Sequence, residues 1–285
     1  MKIANRYGRV GLVDGQRILD VERASRGEFG PTPAQVYEQW PAFRAWARTQ
    51  DPAQGDPYTL EELGAPSPTA RQVFGLGTNY RKHAEEVGWA IPEVPLVFTK
   101  FPSSVAGPFG AIELSGPRVD WEVEVVIVIG EGGRSIPASQ AWNHIAGITA
   151  GQDISDRDVQ LRPKDNPQHS LGKSFPGYAS IGPVLVTPDE YADPDDIALT
   201  CSLNAEQVQN SSTADLVFPV PQLIEYLSSI VTLLPGDLIF TGTPSGVGTV
   251  MDPPRFLTPD DEVVSWVAGV GTMRHTFTDR TDVAS

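Results

Sequence analysis

The segment Asp120-Trp121-Glu122-Val123-Glu124-Val125-Val126-Ile127-Val128-Ile129-Gly130 sets the tightest limit on what this chain can become. An unbroken β-branched run ended by a glycine is the signature of a core strand, not a solvated one. Side chains two apart on a strand share a face, which turns Glu122 and Glu124 the same way. Two like charges on one buried face repel each other and lose hydration, so they need a cation or a proton. A hard divalent metal meets that need. An exposed strand edge, or a salt bridge to Arg or Lys, is the structural alternative.

The rest of the chain reads as short strands and turns. Glycine (27) and proline (26) are abundant among 285 residues, which favours a β-rich α+β fold over a helical bundle. Val10 to Val13, Asp14-Gly15 and Arg17 to Val21 predict a hairpin. Apolar spacing from Thr32 or Pro33 to about Arg48 predicts a helix disturbed at Pro41. A Pro/Gly-containing stretch, 51–68, reads as a linker. The expected organisation is therefore a small amino-terminal unit, 1–70, and a larger catalytic unit, 71–285. Strands are expected at 72–74, 96–99, 119–129, 147–152, 184–186, 198–203, 237–241 and 262–267. Helices are expected at 81–87, 139–144 and 221–231.

Charge and cysteine content remove several function classes. A net charge of −15 disfavours nucleic acid and anionic membranes, which need a basic face. A lone cysteine, Cys201, excludes an intramolecular disulfide and Cys-rich metal sites. No apolar signal core opens the chain, and no apolar stretch nears the roughly 20 residues of a membrane helix, so the cytoplasm is the expected location.

Four further groups can carry chemistry. Asp153, before a polar turn, completes with Glu122 and Glu124 an all-oxygen set suited to Mg²⁺, Mn²⁺ or Ca²⁺. His83 and Glu86 lie three apart on the predicted 81–87 helix, where a carboxylate can fix and activate an imidazole for water activation. A surface pair is the alternative. Lys173 stands between a polar loop and an apolar segment, where it can stabilise developing negative charge or remain solvated. The loop from Phe240 to Gly248 offers backbone N–H groups that can hold a carboxylate, or it is a plain glycine turn. It lacks the lysine of a P-loop.

Together these motifs resemble the fumarylacetoacetate hydrolase family from about Val73 to Phe277. The matching residues are Asn79-Tyr80-x-x-His83, Glu122-x-Glu124, Asp153 with Arg157-Asp158-x-Gln160, and Gly172-Lys173-Ser174-Phe175. Gly182-Pro183, Pro235-Gly236-Asp237 and Thr241-Gly242-Thr243-Pro244-x-Gly246-Val247-Gly248 add to them. The resemblance implies a mixed β-sandwich roll with a small N-terminal α/β domain, a homodimer, and Mg²⁺ or Mn²⁺ held by Glu122, Glu124 and Asp153. It implies His83 and Glu86 as a water-activating dyad on a lid helix and Lys173 as the enolate-stabilising cation. Arg157, Gln160, Thr213 and Thr243 become substrate-contacting positions. Three departures stand out: Pro176 after Phe175, Asn204-Ala205-Glu206 where Asn-Gly-Glu is frequent, and Pro259-Asp260-Asp261 where Pro-Gly-Asp is usual.

The expected activity is hydrolysis of a carbon–carbon bond in an anionic 2,4-dioxo acid, such as an acylpyruvate or a fumarylacetoacetate-like substrate. The first alternative is an oxaloacetate decarboxylase or an oxo-acid tautomerase or isomerase using the same site. The second is a non-catalytic protein with a structural cation.

Overall fold

A computed structural model describes residues 1–280. Its largest sheet runs, in spatial order, through Asp56–Pro57, Arg17–Asp20, Arg9–Asp14, Lys2–Arg6, Ala179–Val186, Ile145–Asp153, Val123–Ile129, Leu238–Phe240, Val73–Gly77 and Leu96–Thr99. A second, five-stranded sheet orders Glu206–Ser212, Ala198–Leu203, Glu262–Val267, Gly271–Thr278 and Phe109–Glu113. This is the β-rich α+β architecture expected. The amino-terminal meander is stitched onto the large sheet, because Lys2 pairs with Val186 and Ile3 with Leu185. Among the described residues no helix is long and apolar enough to cross a membrane.

The Val123–Ile129 strand is buried throughout. Val125, Ile127 and Ile129 join a core with Leu199, Val263, Val267 and Met273 of the smaller sheet. Val126 and Val128, on the other face, pack with Val36, Trp40 and Phe43 from the amino-terminal helices. Each such side chain contributes roughly 1.5–3 kcal/mol on burial. The run stops at Gly130 for a steric reason, since a Cβ there would come 2.4 Å from Trp40 Cδ1.

The predicted helix across 33–48 is two helices, Pro33–Glu38 and Trp40–Ala47. Pro41 lacks an N–H and disfavours a helical residue before it, so it sits in the first turn of the second helix, where that donor is not missed. The predicted 119–129 strand is also divided. Val119–Asp120 pairs with Ser155–Asp156, and the main strand starts at Val123. At the break, Gln152 Oε1 accepts the Glu122 N–H and Gln209 Oε1 accepts the Val123 N–H, both at 3.0 Å. The Asn204-Ala205 departure still makes a tight hairpin turn, with φ of 50° and 69°.

Candidate active site

The strand break aims the carboxylates. Val123 pairs with Gln152 and Glu124 with Gly151. Continuing that register sets Asp153 across from Glu122, and the Asp153 N–H donates to the Glu122 carbonyl at 2.9 Å. Residues opposite each other in an antiparallel pair share a face. Glu122, Glu124 and Asp153 therefore converge, with one carboxylate oxygen from each within 4.8 Å of the others.

Cations meet this cluster from two sides. Lys173 Nζ donates to Glu122 Oε2 at 2.8 Å, Asp153 Oδ2 at 2.7 Å and Ser155 Oγ at 2.8 Å. Lys100 Nζ takes the other oxygen, Asp153 Oδ1. Arg157 reaches Glu122 Oε1 at 2.7 Å and grips Asp120 Oδ2 through Nε and an Nη at 2.9 and 2.7 Å. Gly172 makes this convergence possible. Any Cβ there would fall 2.4 Å from the Gln160 backbone nitrogen, so only glycine lets the turn bearing Lys173 pack beside Arg157–Gln160. The salt-bridge reading of the Glu pair is thus realised for Glu122, alongside the geometry of a metal site.

Glu124 differs. Its Oε2 accepts the Gly242 N–H at 2.7 Å, and among the described residues no lysine or arginine pairs with it. Burial, then Asp153 and Glu122, raise its carboxyl well above the usual range. Burial also pushes Glu122 up, but Lys173 and Arg157 outweigh that and bring it down to about 2. Burial lowers Lys100 despite Asp153, whereas two carboxylates overcome burial at Lys173 and raise it. Four buried acids, Asp120, Glu122, Glu124 and Asp153, thus face three buried cations, and the uncompensated charge sits on Glu124. An all-oxygen donor set with one charge in excess fits a hard divalent cation.

His83 and Glu86 stand on the helix Arg81–Val87, with His83 Nδ1 at 3.0 Å from Glu86 Oε2. An ionised carboxylate can only accept, so Nδ1 is the donor in this contact and Nε2 is the ring nitrogen left to act as a base. The glycine loop does hold carboxylates, and they are the protein's own. Its N–H groups at Gly242, Gly246 and Gly248 donate to Glu124, Glu86 and Asp120 at 2.7, 2.9 and 2.8 Å.

A cavity of about 330 Å³ joins these groups. His83, Glu86, Glu122, Arg157, Gln160, Lys173 and Thr243 line it, with Glu124 and Asp153 clustered on Glu122. Thr213 lies apart from that lining. Its hydroxyl donates to the Asp195 carbonyl and accepts the Ile197 N–H, both at 2.8 Å. Lys100, Asp120, Gln152 and the cavity-lining His169, Phe98 and Trp89 were not found by sequence reasoning. The Lys100 signal was faint, a charged residue directly after an apolar strand.

The family model for the fumarylacetoacetate (FAA) hydrolase C-terminal domain matches residues 72–278. The chain is 39% identical over 246 residues to the human protein named oxaloacetate tautomerase FAHD2A, mitochondrial, covering 85% of this chain and 78% of that one. A Mycobacterium smegmatis protein of known structure superposes with a TM-score of 0.93 at 48% identity, over 99% of this chain and 100% of that one. Fumarylacetoacetate hydrolase from psychrophilic Exiguobacterium antarcticum gives 0.84 at 30% identity, over 98% and 100%.

Proposed function

Because the chain belongs to the fumarylacetoacetate hydrolase family, we propose that it is a metal-dependent tautomerase of small 2-oxo acids, interconverting keto and enol oxaloacetate. The reading rests on one observation: the His83–Glu86 dyad shares a single cavity with Lys173 and with Glu122 of the acidic cluster. Tautomerisation needs a base near carbon and a cation near oxygen, and no more. The 39% identical human relative carries an oxaloacetate tautomerase name, which supports this activity over the hydrolysis favoured by the residues alone.

In the proposed reaction His83 Nε2 takes a proton from C3 of the keto acid while Glu86 steadies the imidazolium. The electron pair moves toward the C2 oxygen, where the Lys173 ammonium offsets the developing charge; water entering the cavity gives that oxygen a proton to complete the enol, and His83 releases its own proton to water. Returning a proton from His83 to C3 runs the reaction backward. Arg157 and Gln160, bonded at 2.9 Å, orient a substrate carboxylate. A divalent cation held by Glu122, Glu124 and Asp153, Mg²⁺ or Mn²⁺, supplies Lewis-acid charge for the substrate oxygens.

The test is to dissolve enol oxaloacetate and follow loss of its ultraviolet absorbance. The reading requires protein-accelerated decay that a chelator abolishes and Mn²⁺ restores. Decay at the buffer rate, with release of pyruvate from acylpyruvates, would instead support carbon–carbon hydrolysis. That second reading shares the 3.0 Å His83–Glu86 contact, which suits water activation as well as proton abstraction.

A further inference from the structure

We propose that Lys100 is a positioning residue that fixes Asp153 from behind the acidic cluster, while Lys173 is the lysine that a metal must displace from the same carboxylate. The two ammonium groups divide Asp153 between them, Lys100 on Oδ1 and Lys173 on Oδ2. They approach from different sides. Lys173 lines the cavity, and Lys100 does not. Lys100 is 1% exposed. Its backbone N–H is held by the Val73 carbonyl at 2.9 Å, and Nζ lies 5.7 Å from the Phe240 ring centroid. Asp153 is the only acidic side chain paired with Lys100 among the described residues. Lys173, by contrast, keeps Ser155 Oγ at 2.8 Å and the Phe98 ring at 5.0 Å as partners if it leaves the carboxylates.

Charge leads to the same division. With Arg157 set against Asp120, the carboxylates of Glu122, Glu124 and Asp153 carry three negative charges, and one fixed ammonium beneath them leaves two once Lys173 has moved off, which match a dication. Fixing Oδ1 also leaves Oδ2 as the Asp153 oxygen that would be offered to a metal once Lys173 has moved off. Groups that orient a metal ligand in this way typically alter metal affinity by about 10–100-fold when removed.

The inference rests on the acidic cluster being a metal site, and the experiment separates the two. Chelator-treated wild type, Lys100→Met and Lys100→Gln are titrated with Mn²⁺ by calorimetry, with thermal stability measured in parallel. We expect one equivalent bound by the wild type, at least tenfold weaker binding by Lys100→Met, and an intermediate loss in Lys100→Gln. KM for the oxo acid at saturating Mn²⁺ should stay unchanged. Equal or tighter binding by folded Lys100→Met overturns the positioning role while leaving the metal site intact. No binding by the wild type overturns both. Should neither variant fold, a Mn²⁺-bound crystal structure of the wild type decides: Lys100 must remain on Oδ1 with Lys173 off Oδ2, and a displaced Lys100 refutes the assignment.

Discussion

Two regions of one sheet make opposite use of burial. At the amino-terminal side, Phe29, Tyr37, Trp40, Phe43 and Trp46 form a chain of ring contacts 5.3–6.0 Å apart over Val126 and Val128. At the other end of the same central strand, four carboxylates and three cations are packed where water scarcely reaches. The first arrangement needs no partner and adds stability. The second costs stability unless every charge is answered, and Glu124 is not. An expense of that kind marks where a ligand completes the structure.

The sharpest contrast comes from the dyad. Replacing His83 with Gln should slow enol decay about 10²–10⁴-fold, the usual contribution of a positioned base. Mn²⁺ affinity and melting temperature should not move. Phe43→Ala is its mirror image, because Phe43 is fully buried among the aromatic rings. Denaturant unfolding should show a loss of about 3–5 kcal/mol, with turnover per folded molecule unchanged. If Phe43→Ala changed turnover, the two regions would not be independent.

A third position tests burial of a ring held by a single backbone carbonyl. His275, on the Gly271–Thr278 strand, is lowered to about 4, chiefly by burial and against the Gly107 carbonyl. The unfolded chain therefore binds the proton more readily than the folded one. His275 contributes stability above its ordinary value of 6.5, and that contribution is lost as pH falls from 6.5 toward 4. The loss should reach on the order of 3 kcal/mol. His275→Asn should flatten the stability profile across this window, and an unaltered slope would refute the assignment. Smallest in effect is Glu124→Gln, which removes the unanswered charge and keeps an acceptor for Gly242. The metal-free protein should gain about 1–2 kcal/mol by denaturant unfolding while losing Mn²⁺ binding.

Much of this contrast is legible in the sequence. Strands with strong apolar alternation or β-branching, Leu96–Thr99, Ala198–Leu203 and Glu262–Val267, fall at the expected bounds, as does the helix Arg81–Val87. Lys2–Arg6, Phe109–Glu113, Glu206–Ser212 and Gly271–Thr278 went unmarked. Their pattern is weak or polar, and they become strands because neighbouring strands pair with them. The acidic trio was visible because buried carboxylates contradict their surroundings. Lys100 was not, since a lysine after a strand is ordinarily solvated and only the tertiary fold carries it beneath Asp153. The role given to Thr213 came from family likeness, and local spacing held nothing to show that its hydroxyl is tied to the backbone.

The most direct test of the account is a calorimetric titration of chelator-treated wild type with Mn²⁺ at neutral pH. We predict one equivalent bound, accompanied by a rise in melting temperature as the charge on Glu124 is answered. A titration without binding heat, and a melting temperature indifferent to the ion, would contradict it.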